Sequence, residues 1–158
     1  NILYQQECNI SINDTYETLF NKLLALNVKG IQDFMTKYVN NELSNIIQEE
    51  NNATYTWSKS QPKKTIIFKE DAFTDFNEDV ETLKNKIRAF NPKPIMWSYL
   101  KDLAKYYGMS IKDISKENLS VKIYDYNVSS PNLEITKLQV EGKSPMTWKE
   151  FLNGYIKP

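Results

Sequence analysis

The chain of 158 residues has no histidine. It therefore lacks the side chain that most often moves protons near neutral pH, and with it the commonest zinc ligand. Ser/His/Asp and Cys/His catalytic sets are impossible for the same reason. A single cysteine, Cys8, rules out an internal disulfide framework and a thiolate-rich zinc site, and argues against a secreted chain. Four glycines are present, and they form neither a GxGxxG turn nor a P-loop. No apolar run approaches the ~18 residues of a membrane span. Residues 1–12 hold neither a basic start nor an apolar block, so no signal peptide is expected. The chain opens on Asn1 rather than methionine and reads as a piece of something longer. No metal and no membrane partner are expected.

What is present has ordinary proportions, 41% hydrophobic and 25% charged, enough for one medium domain or two small ones. Asn-x-Ser/Thr occurs at Asn9, Asn13, Asn52, Asn118 and Asn127, and in so asparagine-rich a chain these matches read as compositional. Paired carboxylates at Glu49–Glu50 and Glu70–Asp71 lie in polar surroundings and read as solvated. The net charge is zero but divided. Residues 1–83 carry 7 Lys/Arg against 13 Asp/Glu, and residues 84–158 carry 13 against 7. A polyanion would prefer the second half.

Periodicity outlines the elements. "ILYQQE" at Ile2–Glu7 predicts a short strand. Asp14 with Glu17 has the spacing of a capping box, and Leu19, Leu23 and Leu26 then predict one buried helical stripe. Asn27 and Gly30 predict a break or kink, after which Ile31, Phe34, Met35 and Tyr38 resume the period to about Asn40. Residues 41–65 read as a linker in which Tyr55 and Trp57 tie the segment to a domain, and "KTIIFKED" as a strand. Asn77 is the expected cap of a helix whose stripe is Val80, Leu83, Ile87 and Phe90 and which Pro92 stops. "IMWSYL", "SVKIYDY" and "NLEITKLQV" read as strands, with a short helix between the first two. In the third strand Leu133 and Ile135 are out of phase with Leu138 and Val140, so a β-bulge near Thr136–Lys137 is expected. Thr147 with Glu150 signals a last capping box. A basic, aromatic-bearing β-rich half suggests nucleic acid, with Trp97, Tyr124, Tyr126 and Trp148 able either to stack on bases or to fill a small barrel.

"IRAFNPKPIMW" at residues 87–97 resembles the "RAFNPWPGAW" segment of methionyl-tRNA formyltransferases. The tail "LEITKLQVEGKSPMTWKEFLNGY" is similar to the ending of the same family, through Leu138, Gln139, Glu141, Gly142, Lys143, Met146, Phe151, Leu152 and Gly154. "NILYQQECNISINDTYETLFNKL" resembles the last strand and helix of the family's catalytic domain, and "ATYTWSKS" with "KKTIIFKEDAFTDF" its linker and first barrel strand. Lys93 stands where the family has tryptophan and Ile95 where it has glycine. The stretch between "KIYDYNVSS" and "PNLEITKL" is shorter than the family's barrel, which predicts lost strands or an absent segment.

The resemblance implies an α+β chain: residues 1–40 the C-terminal edge of an α/β formyltransferase domain, 41–65 the linker, and 66–158 a helix and a small OB-like β-barrel with a closing helix. It implies formyl transfer from 10-formyltetrahydrofolate to initiator methionyl-tRNA, with the catalytic asparagine, histidine and aspartate upstream of Asn1. No catalytic residue is expected here. Lys63, Lys64, Lys69, Arg88, Lys93 and Lys143 are the expected tRNA contacts, with a surface ion pair as the alternative for Arg88. A monomer is expected, in the mitochondrial matrix or, alternatively, the bacterial cytoplasm. The competing readings are a non-catalytic structural or ribosome-associated subunit and a sibling formyltransferase acting on a sugar nucleotide or formyl-folate.

Overall fold

A helix of 24 residues, α1 (Tyr16–Val39), dominates the first part of the chain. The structure is a computed structural model describing residues 1–49, 51, 53 and 67–157. Its two units are Asn1–Ile67 and Phe68–Pro158.

The cap of α1 is Thr15 rather than Asp14. The Thr15 hydroxyl accepts from the Thr18 amide at 3.2 Å, and the Thr18 hydroxyl accepts from the Thr15 amide at 2.9 Å. Asp14 lies one residue outside and binds Ser11 N, Lys22 Nζ and the Thr18 hydroxyl instead. The helix runs through Asn27 and Gly30 without the expected break. Gly30 is needed for another reason: a Cβ there would stand 3.3 Å from both the Tyr4 ring and the Gln6 amide oxygen. The expected strand Ile2–Glu7 reduces to a single antiparallel bridge, Ile2 with Ile46, because one bridge is all the ladder these described residues find. The expected stripe is covered only in part, with Leu19, Leu26 and Phe34 half-buried. Leu23 is 45% exposed, and Tyr16, Phe20, Leu24, Ile31, Met35 and Tyr38 are exposed as well.

In the second unit the described part of "KTIIFKED" is not a strand. Lys69–Ala72 form a 3-10 turn, because the Asp71 carboxylate takes the Phe68 amide at 2.8 Å and so competes with any ladder bond. Lys63, Lys64, Tyr55 and Trp57 lie outside the described residues. Helix α2 (Val80–Phe90) starts at Asp79, whose carboxylate accepts from the Thr82 amide at 2.9 Å and its hydroxyl at 2.6 Å. Asn77, the expected cap, is bonded to Asp75 instead. Asn91 is extended ahead of Pro92, so α2 ends where the sequence predicts.

Four antiparallel strands follow in the order β1 (Trp97–Tyr99), β2 (Ser120–Tyr126), β3 (Ile135–Val140) and β4 (Met146–Thr147). Helix α3 (Leu100–Tyr106) continues directly from β1. The β2–β3 register shifts between Ile123 and Asp125 and again between Asp125 and Tyr126. The second shift leaves Thr136 as the extra residue on β3, which returns Leu133, Ile135, Leu138 and Val140 to the buried side. Helix α4 (Trp148–Tyr155) opens with the expected Thr147–Glu150 capping box. The core gathers Leu83 and Ile87 of α2, Leu100 and Leu103 of α3, Val121, Ile123, Leu138 and Val140 of the sheet, and Phe151 of α4.

Candidate nucleic-acid interface

Strand β1 places its side chains against the usual pattern. Met96, Ser98 and Leu100 are fully buried, while Trp97 and Tyr99 stay half-exposed on the other side. On β2 the same side carries Ser120, Lys122 and Tyr124, opposite buried Val121 and Ile123. Trp97, Lys122 and Gln139 are register partners across three strands, and Tyr99 pairs with Ser120. Phe73 joins from the loop before α2, bridging Trp97. The Phe73, Trp97 and Tyr99 rings lie within 4.9–5.7 Å of one another, centroid to centroid.

Lysines lie over these rings. Lys69 Nζ sits 4.9 Å from the Trp97 centroid, while the Trp97 indole donates to the Lys69 carbonyl at 2.8 Å. Lys101 Nζ sits 5.4 Å from the Tyr99 centroid and donates to Asn118 Oδ1 at 2.9 Å. Glu141 stands at the margin. Its carboxylate accepts from the Ser120 amide and hydroxyl, each at 3.0 Å, and these bonds, helped by Lys69, hold its carboxyl below the ordinary range. It is ionised at neutral pH, so the face is mixed in sign but richer in cations.

Two exposed turns are fastened to this side. Asn91 Nδ2 donates to the Tyr124 carbonyl at 3.1 Å and anchors the turn that carries exposed Lys93. Gln139 Nε2 donates to the Lys143 carbonyl at 2.6 Å, and the Tyr124 hydroxyl donates to Gln139 Oε1 at 2.8 Å. Lys69 lies on this face, as do Lys101 and Lys122, which are not among the expected contacts, and the turns that carry Lys93 and Lys143 are fastened to its strands. The signal for Lys122 is the alternation of Ser120–Tyr124, whereas Lys101 lies on α3 and its place over Tyr99 has no sequence signal.

Arg88 is engaged elsewhere. Its guanidinium donates to the Tyr126 hydroxyl at 3.1 Å and to Asn85 Oδ1, with Glu81 at 3.8 Å, and the side chain is 15% accessible. Lys84, on the same helix, donates to the Ser130 carbonyl at 2.5 Å from a buried position. These two cations tie α2 to the sheet and its β2–β3 loop. Tyr126 is buried, and Trp148 is packed between Tyr107 and Phe151.

A concavity of about 620 Å³ lies beside α4, lined by residues including Tyr107, Asn127, Glu134, Trp148 and Lys149. Both Glu134 oxygens are already taken, by Ser130 and Asn127, which hold its carboxyl below the ordinary range. Burial pushes the Tyr107 phenol above its ordinary value, and it donates to the Leu133 carbonyl at 2.6 Å. Among the described residues no group of three or more potential metal ligands clusters, and no helix is long and apolar enough to cross a membrane.

The second unit is thus a helix-braced antiparallel sheet with an outward side of rings and ammonium groups. Residues 66–156 match the model of the formyl transferase C-terminal domain, and the chain belongs to that family. It is 29% identical to the methionyl-tRNA formyltransferase of Thermotoga neapolitana, over 98% of this chain and 49% of that protein. Against the methionyl-tRNA formyltransferase of Buchnera aphidicola (subsp. Acyrthosiphon pisum) the identity is 33%, over 96% and 49%. The chain therefore spans about half the length of these curated relatives.

Proposed function

We propose that this chain is the C-terminal part of a methionyl-tRNA formyltransferase and that its second unit holds initiator methionyl-tRNA while the rest of the enzyme transfers the formyl group of 10-formyltetrahydrofolate. The observation that carries the reading is an alignment over nearly the whole chain with proteins of that name, joined to a sheet face where Lys69, Lys101 and Lys122 surround half-exposed rings. In this reading residues 1–40 are the edge of the catalytic domain, 41–65 the linker and 66–158 an OB-like barrel with few strands. Strand β3, bent at its bulge, and the capped helix α4 support the barrel assignment.

The chain's own residues bind and orient. Cations on the outward face neutralise phosphates, and the α2–sheet ties of Lys84 and Arg88 keep that face in a fixed place. In this reading proton transfer from the methionyl amine falls to the rest of the enzyme, since this chain has no histidine. The short β2–β3 connection, residues 127–134, favours a second reading as a non-catalytic formyltransferase-like subunit.

The test is formylation of methionyl initiator tRNA by the complete polypeptide supplied with 10-formyltetrahydrofolate. Formylated product is expected, at a rate that falls when Lys93 and Lys143 are replaced by glutamine. A folded polypeptide that binds tRNA but yields no product would favour the subunit reading.

A further inference from the structure

We propose that the outward face of the sheet takes unpaired nucleotides, with bases stacking on the Trp97–Tyr99 side and the lysines now resting on those rings moving to the phosphates. The proposal rests on the tRNA reading above and specifies which part of an RNA the face receives.

The inverted pattern of β1 is the first argument. A three-residue strand built for stability alone would bury its aromatics and expose its serine. Here the Ser98 hydroxyl is fully buried with no hydrogen-bond partner, and Trp97 and Tyr99 are turned out. With Met96 and Leu100 filling the core beside it, Ser98 is left buried and unpartnered while two rings stay at the surface, a departure expected where a surface has work other than packing.

The lysines are the second argument. Lys69 and Lys101 lie over the Trp97 and Tyr99 rings, and Lys122 is the register partner of Trp97. A nucleotide supplies both a flat π-system and an anion. Its base can take the place of an ammonium on the ring, and the displaced ammonium, on its flexible stem, can follow the phosphate. The exchange keeps each ring covered and pairs each charge. An A-form duplex cannot make it, because its bases are stacked on one another and its deep groove is closed to side chains. Glu141, ionised beside Lys69, offsets one of these charges and leaves Lys101 and Lys122 without a carboxylate partner among the hydrogen bonds and ion pairs of the described residues.

The experiment measures binding of three probes to the full chain: an unstructured RNA of about 10 nucleotides, an RNA hairpin with the same number of phosphates, and polyglutamate of equal charge. Each also competes against labelled initiator tRNA. The single strand is expected to bind most tightly and to displace tRNA. Tyr99→Leu should weaken single-strand binding roughly tenfold, the scale of one lost base stack, and Tyr99→Phe should leave it unchanged. Lys101→Gln, at a surface position, should lower the log–log salt slope for the single strand by about 0.7. Tight tRNA binding that the hairpin or polyglutamate displaces as well as the single strand would overturn the stacking proposal and leave the tRNA reading standing. Failure of tRNA and all three probes to bind would overturn both.

Discussion

Ile95 stands at φ +64°, in the left-handed region, at the position where the resembling family has glycine. For a β-branched residue that is an outlier, and the conformation is less favourable by about 1–2 kcal/mol than for glycine. The surroundings hold it there: the Ile95 amide donates to the Phe90 carbonyl at 2.8 Å, and buried Met96 follows at once. Replacement by alanine and by glycine removes nearly the same half-buried side chain, so the two variants compared with each other isolate the backbone. At an ordinary position glycine is worse than alanine by roughly 0.5–1 kcal/mol. Here the order should reverse, with Ile95→Gly more stable than Ile95→Ala by about 0.5–1 kcal/mol. Urea unfolding of the full chain followed by far-UV circular dichroism should show the higher midpoint for the glycine variant with an unchanged slope. A midpoint for Ile95→Ala equal to or above that of Ile95→Gly would refute the argument.

Ser98→Ala removes a buried hydroxyl without a partner, and the unfolding free energy from urea titration should stay or rise, by up to about 1 kcal/mol. Lys84→Ala strips the Ser130 carbonyl of its donor and empties a buried position, with an expected loss of about 1–3 kcal/mol in the same assay. Thr147→Ala breaks the box that starts α4 and should cost about 1 kcal/mol of stability. Glu134, Glu141 and Glu150 all have carboxyls held below their ordinary value, first by Ser130, by the Ser120 amide and by the Thr147 amide respectively. Their folded values lie below their unfolded ones, so the stability they contribute is full above the ordinary carboxylate range and is lost as pH falls through the folded values. Urea midpoints should therefore drop from pH 7 to pH 3, and by less in Glu141→Gln.

Local signals were readable where one residue had no rival. Thr147 with Glu150 capped α4 as expected, Pro92 ended α2, β2 matched its heptapeptide, and the phase slip in "NLEITKLQV" marked the bulge. Caps were misplaced by one or two residues where several candidates adjoin: Thr15 took the role expected of Asp14, and Asp79 that of Asn77, because the spacing of the next hydroxyl, at Thr18 or Thr82, decides. "KTIIFKED" looked β-prone by composition, but the Asp71 side chain captured a backbone amide, a bond no propensity scale counts. At the candidate site, the cationic bias of residues 84–158 was legible as charge, whereas the partner of each cation was not. Arg88 meets Tyr126 across 38 residues of sequence, a contact set by how α2 lies on the sheet. The sequence left Trp97 open between stacking on bases and filling a barrel and did not mark Tyr99, because hydrophobic periodicity assigns large rings to the core.

The claim that the outward face of the sheet grips tRNA is tested most directly by measuring the affinity of the full chain for initiator tRNA against salt concentration, before and after replacing Lys69, Lys101 and Lys122 together with glutamine. Each phosphate contact contributes a log–log slope of about 0.9 in magnitude on paired regions and about 0.7 on single strands. The account predicts salt-dependent binding whose slope falls in magnitude by roughly 2 in the triple variant. An unchanged slope and affinity in a variant that keeps its circular dichroism spectrum would contradict it.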